Sequence, residues 1–294
     1  MNSRRGRLLV LPPVDSAGLA AARRRELDIP RDVATTLGRS AIEASDSGHY
    51  VSEGGRRVDW SAGVQAACSA KRSVPPETPL TRQAQVDLAE TQIQVCNETT
   101  LQAARRLSER GLRPVALNFA NGVHPGGGFL TGARAQEEVL CRSSALYLTL
   151  VDDPMYEAHR QRPRPDSTDW AIYSPDVPVF RKDDGTALDE AWLLSFISCA
   201  APYAPRIGQP ESGDLLRHRI HRVLAIARAF GHAALVLGAW GCGAFGNDPR
   251  RTAKDFRGAL ENEFAGAFSE IVFAITDWSS ERKTLGPFRD AFGK

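Results

Sequence analysis

Short apolar runs and amphipathic stretches alternate along the chain from about residue 82 onward. Runs such as residues 114–119 and 193–200 contain few polar residues, which is typical of strands that are buried on both faces. Stretches such as residues 214–230 repeat apolar residues at helical spacing and stop at a glycine. This alternation predicts an α/β fold with a mixed, mostly parallel sheet and helices on both faces.

The boundaries of the individual elements follow from the same pattern. We predict strands at residues 92–96, 114–119, 170–174, 177–180, 193–200, 233–240 and 271–277. We predict helices at residues 99–110, 137–151, 214–230, 249–264 and 287–292.

The start of the chain follows a different pattern and is interpreted as a mainly helical N-terminal accessory region. Residues 20–27 and 31–45 have helical spacing, and residues 49–60 alternate around a Gly-Gly pair, which predicts a small hairpin. Residues 73–79 are rich in proline, which is typical of a linker or a crossing segment. We therefore expect the accessory region to span residues 1–81.

Composition and charge argue against several classes of protein. The formal net charge of +2 is too small to predict bulk nucleic-acid binding. The five cysteines are dispersed, which argues against a disulfide framework and against a zinc site. No apolar run is long enough to span a bilayer, and the basic start followed by Pro12 and Pro13 is a poor secretory signal. We therefore expect a cytoplasmic protein with no membrane partner.

One connection between a predicted strand and a predicted helix carries most of the candidate chemistry. Asn118 and Asn121 lie at the strand end, and three consecutive glycines follow at residues 126–128. Such a run permits close backbone approach and exposes N–H groups to an anion, although a glycine run alone is usually only a loop. Gln-Glu-Glu at residues 136–138 begins the helix, where acidic residues often serve only the helix dipole. The combination predicts a site for a phosphorylated sugar and for acid catalysis.

A second glycine-rich loop spans residues 238–246. Gly241, Gly243 and Gly246 satisfy Gly-x-Gly-x-x-Gly between a strand and a helix, which is the fingerprint of dinucleotide-binding domains. Only one convincing strand follows, so a complete nicotinamide-binding domain cannot be built downstream. A glycine-rich turn at a helix N-terminus still offers N–H groups and a positive dipole end to a phosphate, which predicts a second anion site.

The first motif resembles the signature of the poly(ADP-ribose) glycohydrolases, in which three glycines (residues 126–128), a spacer (residues 129–135) and Gln-Glu-Glu (residues 136–138) follow one another. It is most similar to the compact bacterial branch of that family, whose catalytic domain is a macrodomain. The resemblance covers residues 92–277 and is loose in the N-terminal region. It implies that residues 82–294 form a macrodomain-like catalytic domain that hydrolyses ribose–ribose bonds and releases ADP-ribose.

The resemblance also implies roles for the acidic segment. Glu138 would be the general acid and then the base that activates water, Glu137 would bind hydroxyls of the leaving ribose, and Gln136 would orient the pair or the substrate. Adjacent residues on a helix diverge by about 100°, so the two glutamates are expected to have different tasks. The reaction needs protonation of the departing oxygen, which a carboxylic acid can supply, and no metal or cofactor is expected.

The same resemblance assigns further residues to the parts of ADP-ribose. Glu98 would accept a hydrogen bond from the adenine amino group, and Asn121 would contact the ribose beside the scissile bond. Gly126, Gly127 and Gly128 would lie against that ribose and its phosphate. The diphosphate would be wrapped by Gly241, Cys242, Gly243, Ala244 and Phe245.

Several of these positions allow a second interpretation from the residues alone. Asn97, next to Glu98, could cap the following helix. Phe245 could be a core aromatic ring, and Asn118 could hold its own loop. A turn at the end of a strand explains residues 277–278 as well as an approach to adenine does.

Other functions remain open at this point. A non-catalytic ADP-ribose reader would not need the two glutamates, whereas a hydrolase of mono-ADP-ribose on protein or nucleic acid could use the same pocket. We expect an exo-acting monomer whose substrate is poly(ADP-ribose) or ADP-ribosylated protein, without a sequence-specific nucleic-acid partner. The resemblance further implies reversal of poly(ADP-ribosyl)ation in a bacterial DNA damage response.

Overall fold

The computed structural model describes residues 6–81 and 88–293 of the chain. Part of the basic start, residues 1–5, and the beginning of the expected catalytic domain, residues 82–87, lie outside the described residues. The strands are β1 (Arg7–Val10), β2 (His49–Val51), β3 (Arg57–Asp59), β4 (Arg72–Val74), β5 (Glu90–Cys96), β6 (Pro114–Ala120), β7 (Ala171–Arg181), β8 (Ala187–Ala200), β9 (Ala234–Leu237) and β10 (Glu270–Ala274).

Eight of the described strands form one sheet in the order β1-β5-β10-β9-β6-β8-β7-β4. Neighbours from β1 to β8 in this order run parallel, and β7 and β4 are added antiparallel. The prediction of a mixed, mostly parallel sheet is confirmed. The remaining two strands, β2 and β3, form the small hairpin that the N-terminal pattern predicts.

Helices cover the sheet on both faces. They are α1 (Ala17–Leu27), α2 (Arg31–Ser47), α3 (Ser61–Ala70), α4 (Thr100–Glu109), α5 (Gln136–Ser143), α6 (Leu146–Leu150), α7 (Pro154–Arg160), α8 (Ala204–Ile207), α9 (Glu211–Ala229), α10 (Pro249–Glu261) and α11 (Leu285–Phe292). One buried cluster on the sheet includes Leu216, Phe256 and Phe288, which come from α9, α10 and α11. A second cluster includes Trp60 and Leu146 from the N-terminal region and α6.

The first 81 residues contribute directly to the main sheet. Strand β1 pairs with β5 at one edge, and β4 pairs with β7 at the other. Strand β4 overlaps the start of residues 73–79, which the proline content suggested as a linker. A division of the chain after residue 81 therefore remains a prediction, and strands from both sides of it share one sheet.

The prediction of a single helix at residues 137–151 is wrong, because the structure has two helices, α5 and α6, in this region. Ser144 is extended, with φ −148° and ψ 173°, and forms an antiparallel bridge with Val179. The next residue, Ala145, donates its N–H to Pro178 O over 3.0 Å. Pairing with strand β7 therefore replaces one helical turn, which local helical spacing does not reveal.

The two short strands expected at residues 170–174 and 177–180 are one strand, β7, with an irregularity in its middle. Its pairing with β8 shifts between Ser174 and Val177, and Asp176 has a φ of 47°. A bulge of this kind bends a strand without ending it.

The parallel strands at the centre of the sheet all have their carboxyl ends on one side, which we call the carboxyl end of the sheet. Residues that follow β5, β6, β9 and β10 meet there, and ligands of parallel α/β sheets bind in the crevice at this end. The two glycine-rich loops follow β6 and β9, which are adjacent strands, so the fold brings them together.

Candidate active site

Two adjacent cavities, of about 260 and 300 Å³, lie at the carboxyl end of the sheet. We call the first the acidic cavity because Glu137 and Glu138 line it. We call the second the side cavity; Glu98, Trp278 and Thr284 are among its walls. Both cavities are lined by Phe119, Ala135, Gln136, Ala239 and Gly243.

Glu137 is buried and held by the end of strand β6. Its Oε2 accepts the N–H of Asn121 over 2.7 Å, and its Oε1 accepts a hydrogen bond from Asn118 Nδ2 over 3.3 Å. Burial raises the pKa of Glu137 to about 8; the N–H of Asn121 opposes this shift, and the neighbouring Glu138 carboxyl adds to it. Glu137 therefore favours its protonated form at neutral pH.

Glu138 keeps one carboxyl oxygen free. Its Oε1 accepts the N–H of Gly128 over 3.0 Å. Its Oε2 is buried and has no hydrogen-bond partner among residues 6–81 and 88–293. Because buried polar atoms are rarely left unpaired, an oxygen of this kind on a cavity wall indicates a ligand or an ordered water.

The glycine run brings its backbone directly against the two carboxyl groups. Gly127 has a φ of 58°, and a Cβ added there would collide with Glu138 Oε1 and lie 3.0 Å from Glu137 Oε2. Gly126 also has a positive φ, of 69°. The run is therefore required both by its left-handed backbone and by the space that the glutamates occupy.

Gln136 connects the start of α5 to strand β6. Its Oε1 accepts the N–H of Phe119 over 2.9 Å, and its Nε2 donates to Leu117 O over 2.7 Å and to Thr100 Oγ1 over 3.1 Å. Both amide hydrogens are used inside the protein. Gln136 therefore positions the helix that carries the glutamates.

The two asparagines after β6 have different tasks. Asn118 is fully buried and donates hydrogen bonds to Glu137 and, over 3.0 Å, to Ser198 Oγ, so it connects the Glu137 carboxyl to strand β8. Asn121 Oδ1 accepts the N–H groups of Val123 and His124, each over 2.9 Å. Its Nδ2 donates to no acceptor in the described part of the chain, and Asn121 lines the acidic cavity.

The second glycine loop forms the opposite wall of the acidic cavity. Gly241, Gly243, Ala244 and Phe245 line it. Among the described residues, the N–H groups of Gly243, Ala244 and Phe245 donate to no protein acceptor. A Cβ added at Gly243 would meet nothing within 4 Å. These N–H groups make the loop suitable for an anion.

The helix that follows this loop does not offer its own N-terminus, contrary to the expectation of an open dipole end. Asp248 caps α10, and its Oδ1 accepts the N–H of Arg250 over 2.9 Å. An acidic side chain therefore already occupies the positive end of the helix dipole. Any anion in the cavity depends on the loop amides.

Cys242 and Phe245 contribute to the loop in different ways. The Sγ of Cys242 lies 3.5 Å from Trp240 O and 3.6 Å from Thr252 Oγ1, and burial raises the pKa of its thiol to about 12. Phe245 lines the cavity and also meets Tyr203 edge-on, with ring centroids 5.9 Å apart. Phe245 thus belongs to both the core and the cavity, whereas Cys242 packs its side chain inward.

Glu98 lies in the wall of the side cavity, but one of its oxygens is already paired. Arg106 Nη2 is 2.5 Å from Glu98 Oε1. The helix cap considered for Asn97 belongs instead to Thr99, whose hydroxyl accepts the N–H of Gln102 in a capping box. Asn97 lies too far ahead of α4 to act as its cap.

The comparisons with known proteins agree with this geometry. A family profile described as the microbial-type PARG catalytic domain matches residues 38–182. The poly(ADP-ribose) glycohydrolase (PARG) of Thermomonospora curvata is 42% identical, with a TM-score of 0.85 over 88% of this chain and 99% of that chain. The chain belongs to the microbial-type PARG family.

Related structures with bound ligands are similar over most of the chain. The T. curvata PARG bound to the inhibitor ADP-HPD has a TM-score of 0.82 at 42% identity and covers 88% of this chain and 99% of its own. A Deinococcus radiodurans PARG in complex with ADP-ribose has a TM-score of 0.74 at 40% identity and covers 79% and 97%. A search of the curated proteins found no match. The macrodomain-like fold and membership of a glycoside hydrolase family are thus confirmed.

Sequence reasoning missed two buried residues that shape this PARG site. Asn247 donates from Nδ2 to Pro202 O over 2.9 Å, gives its N–H to Gly241 O over 3.0 Å and accepts from Ser212 Oγ over 2.6 Å. It thereby closes the second glycine loop. An asparagine directly after a glycine-rich loop is the signal that the sequence offers.

His159 is the second missed residue and fixes the loop that follows Asn121. Its Nε2 accepts the N–H of Thr168 over 3.1 Å, so its Nδ1 carries the proton and donates to Gly122 O over 3.0 Å. Burial lowers the pKa of His159 to about 4, which keeps the ring neutral. No local signal in the sequence connects His159 with Gly122.

The described residues contain no group of three or more His, Cys, Asp or Glu side chains arranged to hold a metal ion. None of the described helices is both long enough and apolar enough to cross a membrane.

Proposed function

We propose that the protein hydrolyses the ribose–ribose O-glycosidic bonds of poly(ADP-ribose) and releases ADP-ribose. The observation that carries this proposal is the unpaired Oε2 of Glu138, a residue that lines the same cavity as Asn121 and the second glycine-rich loop. Relatives that bind ADP-ribose or ADP-HPD support it.

The cleft supports one arrangement of the ligand. The diphosphate lies against the free amides of residues 243–245, and the ribose beside the scissile bond lies between Asn121 Nδ2 and the glycine run. The adenosine half then extends into the side cavity, which is the larger of the two. In this arrangement, we infer that the glycosidic oxygen lies next to Glu138.

The chemistry follows from the two carboxyl groups. Glu138 Oε2 gives its proton to the departing oxygen, while the Gly128 N–H holds Oε1 and fixes the orientation of the group. The same carboxylate then accepts a proton from the attacking water. Glu137 is protonated near neutral pH, so it donates a hydrogen bond to a ribose hydroxyl and does not repel Glu138.

Incubation of the protein with poly(ADP-ribose) and, separately, with mono-ADP-ribosylated protein tests this function. We expect free ADP-ribose from the polymer. Release only from the mono-modified protein would replace the proposal with a mono-ADP-ribose hydrolase, and tight binding without release would replace it with a reader.

We extend the proposal to an exo-acting monomer in the cytoplasm that reverses poly(ADP-ribosyl)ation after DNA damage. Analysis of product lengths during the reaction tests the mode of attack. An exo-acting enzyme yields ADP-ribose from the first time points, whereas internal cleavage yields short oligomers first.

A further inference from the structure

Among the described residues, two arginine side chains are almost completely buried, which is rare for a charged residue. Arg142 in α5 and Arg219 in α9 are each 1% exposed. Arg219 has a carboxylate nearby, since its Nε lies 3.4 Å from Asp169 Oδ1, and its Nη1 donates to Ala200 O over 2.9 Å. Pairing therefore accounts for the burial of Arg219, whereas Arg142 needs another explanation.

The guanidinium of Arg142 bonds to no carboxyl group in the described part of the chain. Its Nη1 donates to Ala133 O over 3.3 Å, while Nε and Nη2 are buried without a hydrogen-bond partner. A buried charge is costly for the fold unless it is paired and fully hydrogen-bonded. Groups that break this rule are expected at functional sites, where the cost is offset by what the charge does.

Glu138 lies one helical turn before Arg142. Both residues are in α5, and side chains four residues apart lie on the same face of a helix. Glu138 is only 8% exposed, so little water screens the two groups from each other. The N–H of Gly128, which holds Glu138 Oε1, is also close, because a Cβ added at Gly128 would lie 2.9 Å from that of Ala133. Arg142 therefore lies beside both Glu138 and the loop that fixes it.

The pKa of the Arg142 guanidinium reflects these neighbours. Burial lowers this pKa, the carboxyl groups of Glu138 and Asp183 raise it, and the guanidinium of Arg134 lowers it. Glu137 favours its protonated form near neutral pH, so it brings no second negative charge to Glu138. The positive charge of Arg142 is thus placed to act on the Glu138 carboxyl.

Arg181 in β7 fixes the end of α5 that carries Arg142. Its Nη1 donates to Arg142 O over 3.3 Å and to Leu37 O over 2.9 Å, and its Nη2 donates to Ser40 Oγ over 3.0 Å. These bonds join α5 to α2 and to β7. The guanidinium of Arg142 therefore keeps its place relative to Glu138.

We propose that Arg142 is a positioning residue that acts through Glu138, because its buried positive charge stabilises the carboxylate that forms when Glu138 gives its proton to the departing oxygen. The inference rests on the proposed function and deepens it. Arg142 lines neither cavity, so it does not touch the substrate.

The step that the charge assists is the cleavage of the glycosidic bond. The bond between the anomeric carbon and the glycosidic oxygen breaks, its electron pair stays with the oxygen, and the proton of Glu138 completes the new hydroxyl group. Negative charge therefore develops on Glu138 inside a buried site, where a fixed cation has its largest effect. Water then bonds to the anomeric carbon and returns one proton to Glu138.

Arg142→Met keeps the length of the side chain and removes the charge. With poly(ADP-ribose) as substrate, kcat should fall by about 10-fold or more, because the cation no longer stabilises the carboxylate. KM, and the Kd for ADP-ribose measured by calorimetric titration, should stay within about 3-fold of the wild type. Arg142→Lys keeps a positive charge and should recover at least about 3-fold of the lost kcat.

A double variant tests whether the charge acts through Glu138. Glu138→Gln has no carboxylate for the cation to stabilise. Adding Arg142→Met to it should therefore change the residual rate, measured with the enzyme in excess over polymer ends, by less than about 2-fold.

Denaturation separates this role from a structural one. Because an unpaired buried charge destabilises a fold, Arg142→Met should unfold at the same urea concentration as the wild type or at a higher one. Arg219→Met removes a buried cation that has a partner, and it should unfold at a lower urea concentration. The control for activity is Arg105→Met, which alters an exposed arginine that pairs with Glu109 at the same four-residue spacing and should keep the wild-type kcat.

Three results would overturn the inference. They are a kcat of Arg142→Met within about 2-fold of the wild type, the same further loss in the Glu138→Gln background as in the wild type, and a lower urea midpoint of Arg142→Met together with a raised KM. Each of these leaves the proposed function intact. A wild type that releases no ADP-ribose would overturn the proposed function and this inference together.

Discussion

The acidic cavity and the side cavity are neighbours that differ in where their functional groups come from in the sequence. The acidic cavity takes its candidate reactive groups, Asn121, Glu137 and Glu138, from one strand and the helix that follows it, and the second glycine loop forms its opposite wall. The side cavity takes its walls from segments as distant as Leu27, Glu98 and Trp278. Reactive groups therefore lie close together in the sequence, while the walls of the larger cavity depend on long-range packing.

The largest expected effect tests the acidic cavity. Glu138→Gln removes the proton donor and keeps the shape of the side chain, so kcat should fall by about 10³-fold or more while the Kd for ADP-ribose changes by less than about 3-fold. Release of ADP-ribose and calorimetric titration measure the two quantities.

Glu157→Gln, which alters an exposed glutamate in α7, is the matched control and should have wild-type activity. Turnover of Glu138→Gln within 10-fold of the wild type would remove Glu138 from the mechanism.

The next effect compares the two glycine loops. Gly127→Ala should lower kcat/KM by about 10²-fold and the free energy of unfolding by about 1–3 kcal/mol, because its Cβ meets the Glu138 carboxyl from a left-handed position. Gly243→Ala should leave the free energy of unfolding within about 0.5 kcal/mol of the wild type, because a Cβ added at this position meets no other residue within 4 Å. Its Kd for ADP-ribose should nevertheless rise by about 5-fold, because the methyl group enters the space beside the loop amides.

Chemical denaturation and calorimetry distinguish these outcomes. If Gly243→Ala bound ADP-ribose as tightly as the wild type, the diphosphate would not lie against that loop.

A smaller effect concerns the support of the second loop. Asn247→Ala should lower the free energy of unfolding by about 2 kcal/mol, because it leaves buried groups of Pro202 and Ser212 unpaired. It should also weaken ADP-ribose binding, since the loop loses its closure. Asn262→Ala, an exposed asparagine after α10 that bonds Gly258 O, is the control and should be close to neutral.

The last effect concerns only the pH dependence of stability and belongs to Glu137. Its pKa is raised from 4.5 to about 8 in the folded protein, so the folded state binds the extra proton and the contribution of Glu137 to stability falls as pH rises from about 4.5 to 8. Glu137→Gln removes this titration. As the pH rises from 5 to 8, the free energy of unfolding of the variant minus that of the wild type should therefore increase by about 1–3 kcal/mol.

Denaturation at several pH values measures this difference. Asp183, whose pKa burial also raises to about 7, is present in both proteins and cancels. A constant offset between the two proteins at every pH would contradict a protonated Glu137.

Local patterns were enough to predict much of the fold. Apolar runs predicted β6, β8, β9 and β10 because strands buried on both faces have few polar residues. They did not predict the break at Ser144, because it depends on pairing with Val179 in β7. They also did not show that β1 and β4 complete the two edges of the sheet, since short edge strands carry little periodicity of their own.

The sequence by itself determined the α/β class, the two glycine loops and the glutamates, because each of these depends on residues that lie close together along the chain. Only the tertiary structure decided that Gln136 uses both amide hydrogens within the protein, that Asn247 and His159 shape the loops, and that Arg282 reaches back to Asp15. The physical reason is that a hydrogen bond or a cavity wall depends on distance in space. Residues 267 positions apart, such as Asp15 and Arg282, leave no trace of their contact in a local pattern.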